Sequence, residues 1–470
     1  MFNFRLLSVL LFSSAALQAQ DFDLRMCLDY ALTNAVPVQN ARLDERIADA
    51  RVRETAGAGL PQISGSVGVN HNIQLRRFFT TYSPDSFFFG GQAIPGLQEG
   101  DVVSAQNFFQ LKSSGDAGIT VNQLLFNGSY IVGLQAANAY RELSMRTTDR
   151  QVSEVVDQVT RSYYLVVINR ERIKLFDENL SRIDTLLRNT SALFEKGFVE
   201  SIDVDRLKVA RNNLTTERER FSNLMQLSVE LLKFQMNYPM DQPLRVTGVI
   251  AESDVTVDLN GYQNAFSYED RPEIRVLEVT RRLQSLNLRS NYAAALPSLV
   301  AYGNLGKATQ SPNLAGLFRT QTDLTDNGQI GPDSWYSYSF IGLSVNFPIF
   351  SGLQRTYRIQ QEKISLNKLE NGIRQAKAGV DLEVRQSLLN YQNALRSMES
   401  QKLNVALAQN ISRVARVKYE QGVGSNLEVI DAETSLRESQ VNYYNAVYDA
   451  LIAKVGLDKA YGKLTPAAAE

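Results

Sequence analysis

Cys27 and His71 are the single cysteine and the single histidine of a 470-residue chain. A Cys–His nucleophilic pair, a histidine-based triad and a Cys/His metal cluster all need groups that are missing here or far apart in the sequence. An intrachain disulfide is excluded by the count alone. Carboxylate-only catalysis stays open, but no motif points to it and no nucleophile or cofactor loop is recognisable. The chain is therefore read as a non-enzyme with no cofactor and no resident metal. Its 49 basic and 50 acidic residues nearly cancel, which argues against nucleic acid as a partner, because such binders carry a basic excess on one face. The residues left to act are glycines at turns and acids on helices. Gly197 and Gly422 each follow a long apolar seam and read as left-handed helix caps.

These positions belong to a repeated plan. Leu60-Pro61-Gln62-Ile63 recurs as Leu296-Pro297-Ser298-Leu299, and Gly118-Ile119-Thr120-Val121-Asn122 as Gly342-Leu343-Ser344-Val345-Asn346. Gly128 returns as Gly352, and Phe194-Glu195-Lys196-Gly197 as Tyr419-Glu420-Gln421-Gly422. The copies are about 225 residues apart, as a duplicated gene would leave them. Ahead of them, Arg5, the apolar run Leu6 to Leu17 and the small-residue site at Ala19 read as a secretory signal peptide over 1–19. Cys27 lies too far into the charged stretch that follows to be a lipid-attachment cysteine. No later run reaches about 18 apolar residues, so no transmembrane helix is expected.

Each copy orders helix, strand, long loop, strand, very long helix, tight turn and helix. From Ile63 to Arg76 apolar and polar residues alternate, the period of a strand with one apolar face. Such a segment reaches roughly 43 Å, enough to cross a bilayer core at a tilt. Ile119, Val121 and Leu125 in copy one, and Leu343, Val345 and Phe347 in copy two, continue the pattern. Trp335, Tyr336, Tyr338 and Phe340 form a candidate aromatic girdle at a membrane surface. The loops at 77–115 and 307–334 are long and rich in Gly, Ser, Asn, Phe and Tyr, among them the run at 87–91. A soluble sandwich with an aromatic core is the plainer alternative.

The helices carry a seam at three-and-four spacing. Val152, Val155, Val159, Tyr163, Val166, Ile173, Leu180, Ile183 and Leu187 mark it in copy one. Leu366, Leu369, Ile373, Val380, Val384, Leu388, Tyr391 and Leu395 mark it in copy two. A helix of that length extends about 99 Å, and so narrow a seam needs neighbouring helices along its whole length. Four strands cannot close a barrel, and an open sheet in lipid would expose unpaired backbone groups, so subunits must pool their strands. Three subunits supply twelve and four supply sixteen; the pattern alone does not choose.

In order, duplication and spacing these segments resemble the TolC family of outer-membrane efflux proteins across essentially the whole mature chain. The entry stretch Leu28, Ala31, Leu32, Asn34, Ala41 and Ala48, ending in Leu60-Pro61, resembles that family's first helix. The resemblance implies a mixed α and β membrane protein in the bacterial outer membrane, extending into the periplasm. Its fold would be a trimeric 12-stranded β-barrel continued by a long antiparallel α-helical barrel, built from two internal repeats. It implies a first repeat at 20–245 (hairpin 61–126, long helix 129–194, return helix 201–235) and an equatorial segment at 237–270. A second repeat follows at 271–456 (hairpin 297–349, long helix 353–420, return helix 425–456), then a tail at 457–470.

The implied function is the exit duct of a tripartite efflux or secretion system. It passively conducts substrates from a periplasmic adaptor (membrane fusion) protein and an inner-membrane transporter of RND, ABC or MFS type. Implied partners are two further copies of the chain and outer-membrane lipid. Gly197, Gly422 and Gly424 would form tip turns facing the adaptor. Glu428 and Asp431 fall at the family's constriction, three residues apart, so both can face a lumen and favour cations. Asp203 and Tyr419 match members of its closed-state network. Gly424 stands where the family's basic partner is found, which leaves that latch incomplete unless Lys418 or Lys196 substitutes. A type I protein-secretion channel of the same fold, and a soluble periplasmic coiled-coil scaffold, are the alternative readings.

Overall fold

In the computed structural model the described residues are 21–464 apart from 87–93, 106, 108–109, 251–253, 258, 260–261, 263–265, 319–321, 325–329 and 333–334. The signal segment 1–19, the aromatic run at 87–91 and residues 465–470 of the tail lie outside them. The chain forms two compact units. One takes in the described parts of Met1–Asp49, Ala139–Gln284 and Ile364–Glu470, the other those of Ala50–Asn138 and Ser285–Lys363. Each unit draws on both copies of the repeat, because strands find their hydrogen-bond partners in the other copy and helices find their apolar neighbours there.

The second unit is built on a four-stranded antiparallel sheet. Its strands are β2 (Gln62–His71), β5 (Ser113–Phe126), β7 (Ser298–Ser311) and β10 (Tyr336–Asn346), in the order β10–β7–β5–β2. The two hairpins join through β5 and β7, with Ile119 opposite Leu305 and Thr120 opposite Asn304. This leaves β2 and β10 as free edges. Register and the alternation of the pleat sort the side chains onto two faces. Ile63, Val67, Val69, Ile119, Val121, Leu305, Ile341, Leu343 and Val345 share one. In the single chain it is bare: Ile63 is 71% exposed, Val67 80% and Ile341 91%. The other face carries Gln62, Ser64, Ser66, Asn70, Thr120, Asn122, Asn304 and Ser344, with Asn304 Nδ2 donating to Thr120 Oγ1 at 2.8 Å.

Three details differ from the sequence reading. The first strand stops at His71, where Asn72 N donates to Lys112 O, rather than alternating on to Arg76. The long loops hold short hairpins of their own, β3 (Phe78–Thr81) with β4 (Val102–Ala105) and β8 (Thr322–Leu324) with β9 (Ile330–Pro332). The aromatic group also divides. Trp335 lies against Gly115 and Thr309 on the apolar side, whereas Tyr336, Tyr338 and Phe340 stand on the polar face beside Tyr302. A period of two puts every second residue of a strand on the same face, so four neighbours in sequence cannot form one girdle.

The first unit is helical. The helices are α1 (Leu24–Asn34), α2 (Val36–Gly57), α3 (Gly128–Glu195), α4 (Ser201–Met236), α5 (Pro272–Ala293), α6 (Gln354–Glu420) and α7 (Asn426–Ala460); the ends of α2, α3, α5 and α6 belong to the sheet unit. None among the described residues is long and apolar enough to cross a membrane. Asp23 caps α1 by accepting from Met26 N at 2.7 Å. One core cluster packs Cys27, Leu28, Ala31 and Val38 against Val155, Val159, Tyr163 and Val166 of α3 and Leu232 and Met236 of α4. Burial, helped by nearby Asp23, pushes the Cys27 thiol up to about 12, so it stays protonated and inert. The segment after α4 is tied to the helices by side chains that reach its backbone. Tyr163 donates to Thr247 O at 2.6 Å, Arg170 to Val246 O at 2.7 Å and Tyr391 to Val255 O at 2.7 Å. Its β6 (Arg245–Val246) pairs in parallel with β1 (Asp21–Phe22).

Candidate functional site

The turn-bearing end of the helical unit gathers the candidate residues. At Gly197 and Gly422 the backbone takes φ of 77° and 75°, the left-handed conformation that glycine adopts without a Cβ clash. Both turns close identically. Gly197 N donates to Phe194 O and Phe198 N to Leu193 O; Gly422 N donates to Tyr419 O and Val423 N to Lys418 O. Each is a Schellman motif, which satisfies the last free carbonyls of α3 and α6. The apolar residue that usually packs back onto such a helix end points outward instead, with Phe198 74% and Val423 78% exposed.

Gly424 is held by contact rather than by its torsion angles. A Cβ there would stand 2.9 Å from Lys418 Cβ and 3.2 Å from Tyr419 N. Any side chain at that position would require the turn to shift. Lys196 and Lys418 form no ion pair among the described residues of the single chain.

Ser425 caps α7 by accepting from Glu428 N at 3.2 Å, which places the candidate pore acid Glu428 in the first turn of the helix. Asn426, Val429, Ala432, Glu433 and Leu436 are the buried side of this helix. Glu428 and Asp431 stand exposed on its other side, and neither has an ion-pair partner among the described residues. Asp203 and Tyr419 are not joined to each other. The Asp203 carboxylate lies 3.8 Å from Arg206, and its backbone carbonyl accepts from Asn426 Nδ2 at 2.8 Å. The Tyr419 hydroxyl instead meets Thr190 Oγ1 of α3 at 2.9 Å.

The strongest polar cluster here was not among the sequence candidates. Glu433 is buried on α7 and accepts from Ser412 Oγ at 2.6 Å, from Arg416 at 2.6 Å and from Arg182 Nε at 3.1 Å. Burial alone would raise its carboxyl, but the Ser412 and Arg416 hydrogen bonds and the Arg182 charge outweigh that and hold it below the ordinary carboxylate range. The cluster ties α3, α6 and α7 together at one level. It lines one side of a cavity of about 540 Å³ that Tyr419, Asn189 and Lys196 also border. The signal was present in the sequence: a glutamate at the same three-and-four spacing as Val429, Ala432 and Leu436.

Three kinds of likeness accompany this geometry. A family model described as outer membrane efflux protein matches residues 27–227 and 267–463. The outer membrane efflux protein BepC of Brucella suis is 23% identical over 448 residues, covering 93% of this chain and 84% of that protein. Among solved structures, the VceC outer membrane protein of Vibrio cholerae superposes with a TM-score of 0.69 at 14% identity, over 93% of this chain and 96% of that one. The CmeC outer membrane channel of Campylobacter jejuni gives 0.67 at 16% identity, over 94% and 85%. At these identities the structures speak for the fold, and the family match speaks for the class of protein.

Proposed function

Since this chain belongs to the outer membrane efflux protein family, as an outer-membrane exit duct, we propose that it works as a homotrimer fed by a periplasmic adaptor and an inner-membrane transporter of RND, ABC or MFS type. The observation that carries the pooling of strands between copies is the sheet with two free edges and a bare apolar face, and the family likeness sets the number at three. In lipid each unpaired edge group costs several kcal/mol. Pairing β2 of one copy with β10 of the next removes both edges, and three copies close a barrel of twelve strands. Energy comes from the pump, and the chain itself conducts passively as a channel without an enzymatic role.

On this reading the helical turns are the periplasmic tip. Exposed Phe198 and Val423 beside Gly197, Gly422 and Gly424 offer the adaptor an apolar contact of the kind that dominates small interfaces. Glu428 and Asp431 ring the constriction, where three copies concentrate six carboxylates and favour cations. Asp203 acts in the closed state through its backbone carbonyl and Asn426. Tyr419 acts through Thr190, and Glu433 with Arg182 and Arg416 takes the place of the missing latch.

The deciding experiment is detergent extraction from the outer-membrane fraction, mass determination of the particle and single-channel recording. A conducting trimer is expected. A particle that washes off without detergent and does not conduct would end this reading in favour of a periplasmic scaffold. In the same recordings Glu428→Gln with Asp431→Asn should weaken cation selectivity and block by multivalent cations; unchanged behaviour would remove both acids from the constriction.

A further inference from the structure

The polar face of the sheet carries a feature that a passive water-filled duct does not require. Tyr336, Tyr338 and Phe340 follow one another on that face of β10, with Tyr302 beside them on β7. Successive same-face residues lie about 7 Å apart along a strand, so the three form a ladder roughly 14 Å long. All four rings remain open, Tyr302 36% exposed, Tyr338 37%, Tyr336 43% and Phe340 53%. Glycines let two of them lie across the neighbouring strand. A Cβ at Gly342 would stand 2.6 Å from Tyr302 Cζ, and one at Gly306 would stand 2.8 Å from Tyr338 Cζ. Rings laid over glycine keep the wall low and turn their π-faces outward. Phe340 meets Tyr302 edge-on, with centroids 6.1 Å apart and planes at 71°.

Charge on this face has one sign. Asp116 is the only ionised residue among the described strand positions that share it, whereas Lys307 lies on the apolar side. The Asp116 carboxylate leans over Gly68, 2.7 Å from where a Cβ would be, and has no ion-pair partner among the described residues. On the same face Asn304 Oδ1 has no donor among the described residues. A π-face attracts a cation through its quadrupole, and a carboxylate on the same wall adds to that attraction.

We propose that the ladder of Tyr336, Tyr338 and Phe340 with Tyr302, on the face that also carries Asp116, is a contact track for aromatic organic cations passing along the barrel wall. Each ring is a weak site and the next lies within reach, the arrangement that lets a pore hold a passenger without trapping it. The proposal rests on the reading of the polar face as the lumen of an exit duct.

The test uses the purified full-length channel in a planar bilayer, with tetraphenylphosphonium and the aliphatic tetrabutylammonium as probes. Tetraphenylphosphonium should produce resolvable dwell events in the wild type. Tyr338→Leu with Phe340→Leu, which keeps apolar bulk but removes the rings, should shorten them roughly five-fold. Tyr338→Phe should leave them nearly unchanged, and Asp116→Asn should shorten dwell for both cations. Tetrabutylammonium, which can use the cation–π attraction but cannot stack on the rings, should be less sensitive to the leucine variant than tetraphenylphosphonium. Equal dwell of tetraphenylphosphonium in wild type and leucine variant, or equal sensitivity of both probes to the loss of the rings, would overturn the track. Ser64→Cys on the same face separates this from failure of the underlying reading. Labelling by a water-soluble thiol reagent in the reconstituted protein places that face in water, and absence of labelling would overturn the lumen assignment and the track with it.

Discussion

The two long helices follow one plan and end up in different surroundings. α3, of 68 residues, buries Val155, Val159, Val166, Ile168, Phe176 and Ile183 within its own chain. α6, of 67 residues, buries little beyond Ile373, Val380, Tyr391, Ala408 and Ala415. It leaves Leu382, Leu389, Leu403, Leu407 and Ile411 between 57% and 67% exposed. Copy one brings α1, with Cys27, Leu28 and Ala31, to cover its long helix. At the corresponding point copy two packs Val257, Leu259, Tyr262 and Phe266 around Tyr391 of α6, ahead of the turn Tyr268–Asp270. The two copies have thus diverged, one long helix largely buried within the chain and the other with an apolar side exposed in it.

The largest expected effect tests that division directly. Val159→Asp puts an unpaired carboxylate into a fully buried position and should cost more than about 4 kcal/mol, leaving no folded protomer. Leu407→Asp on the exposed side of α6 should keep helix content by circular dichroism and lose the oligomer by mass measurement. An intact oligomer in Leu407→Asp would mean that α6 is not the assembly face. Smaller is the effect of Glu433→Gln, which leaves Arg182 and Arg416 without their anion; about 2 kcal/mol of protomer stability should go, read as a lower melting temperature. An unchanged melting temperature would show that solvent already serves both guanidinium groups.

Acid should do reversibly what that substitution does permanently. The Glu433 carboxyl is held below its ordinary value near 4.5 in the fold, so its contribution is complete above the unfolded value. It is lost as pH falls through the lower folded value, because the unfolded chain then binds more protons than the native one. Protection against hydrogen exchange in α3 and α7 beside Glu433, relative to the intrinsic rate at each pH, should therefore fall below about pH 4 in the wild type, and far less in Glu433→Gln. The smallest effect belongs to Tyr419→Phe, which removes the link to Thr190 and should cost ~1 kcal/mol. A cost near zero would mean that water takes over the hydroxyl's place.

Much of this was legible in the sequence because periodicity carries it. The seam through Val155, Val159, Tyr163 and Val166 announces α3, and its end at Gly197 coincides with a left-handed turn. The alternation at Ile63 to His71 gives β2 and its apolar face. Glu428 and Asp431 were legible as neighbours on one helix face, but their direction toward a lumen is a matter of assembly. Less legible were the places where a side chain's partner is remote. Glu433 meets Arg182, which lies on the other copy's long helix, and no spacing rule links them.

What the sequence determined by itself is local and repetitive: the element types, the duplicated order, the turn glycines and the amphipathic faces. Each follows from the chain's own geometry, 3.6 residues per helical turn and two per strand pleat. Only the tertiary structure decided how much of each long helix is covered within the chain and that Tyr419 chooses Thr190 over Asp203. It also decided that Gly424 has no room for a side chain, and that Tyr336, Tyr338 and Phe340 part company with Trp335. Those outcomes depend on contacts between residues tens to hundreds of positions apart, where the shape of the packed neighbour, not the local pattern, sets the energy.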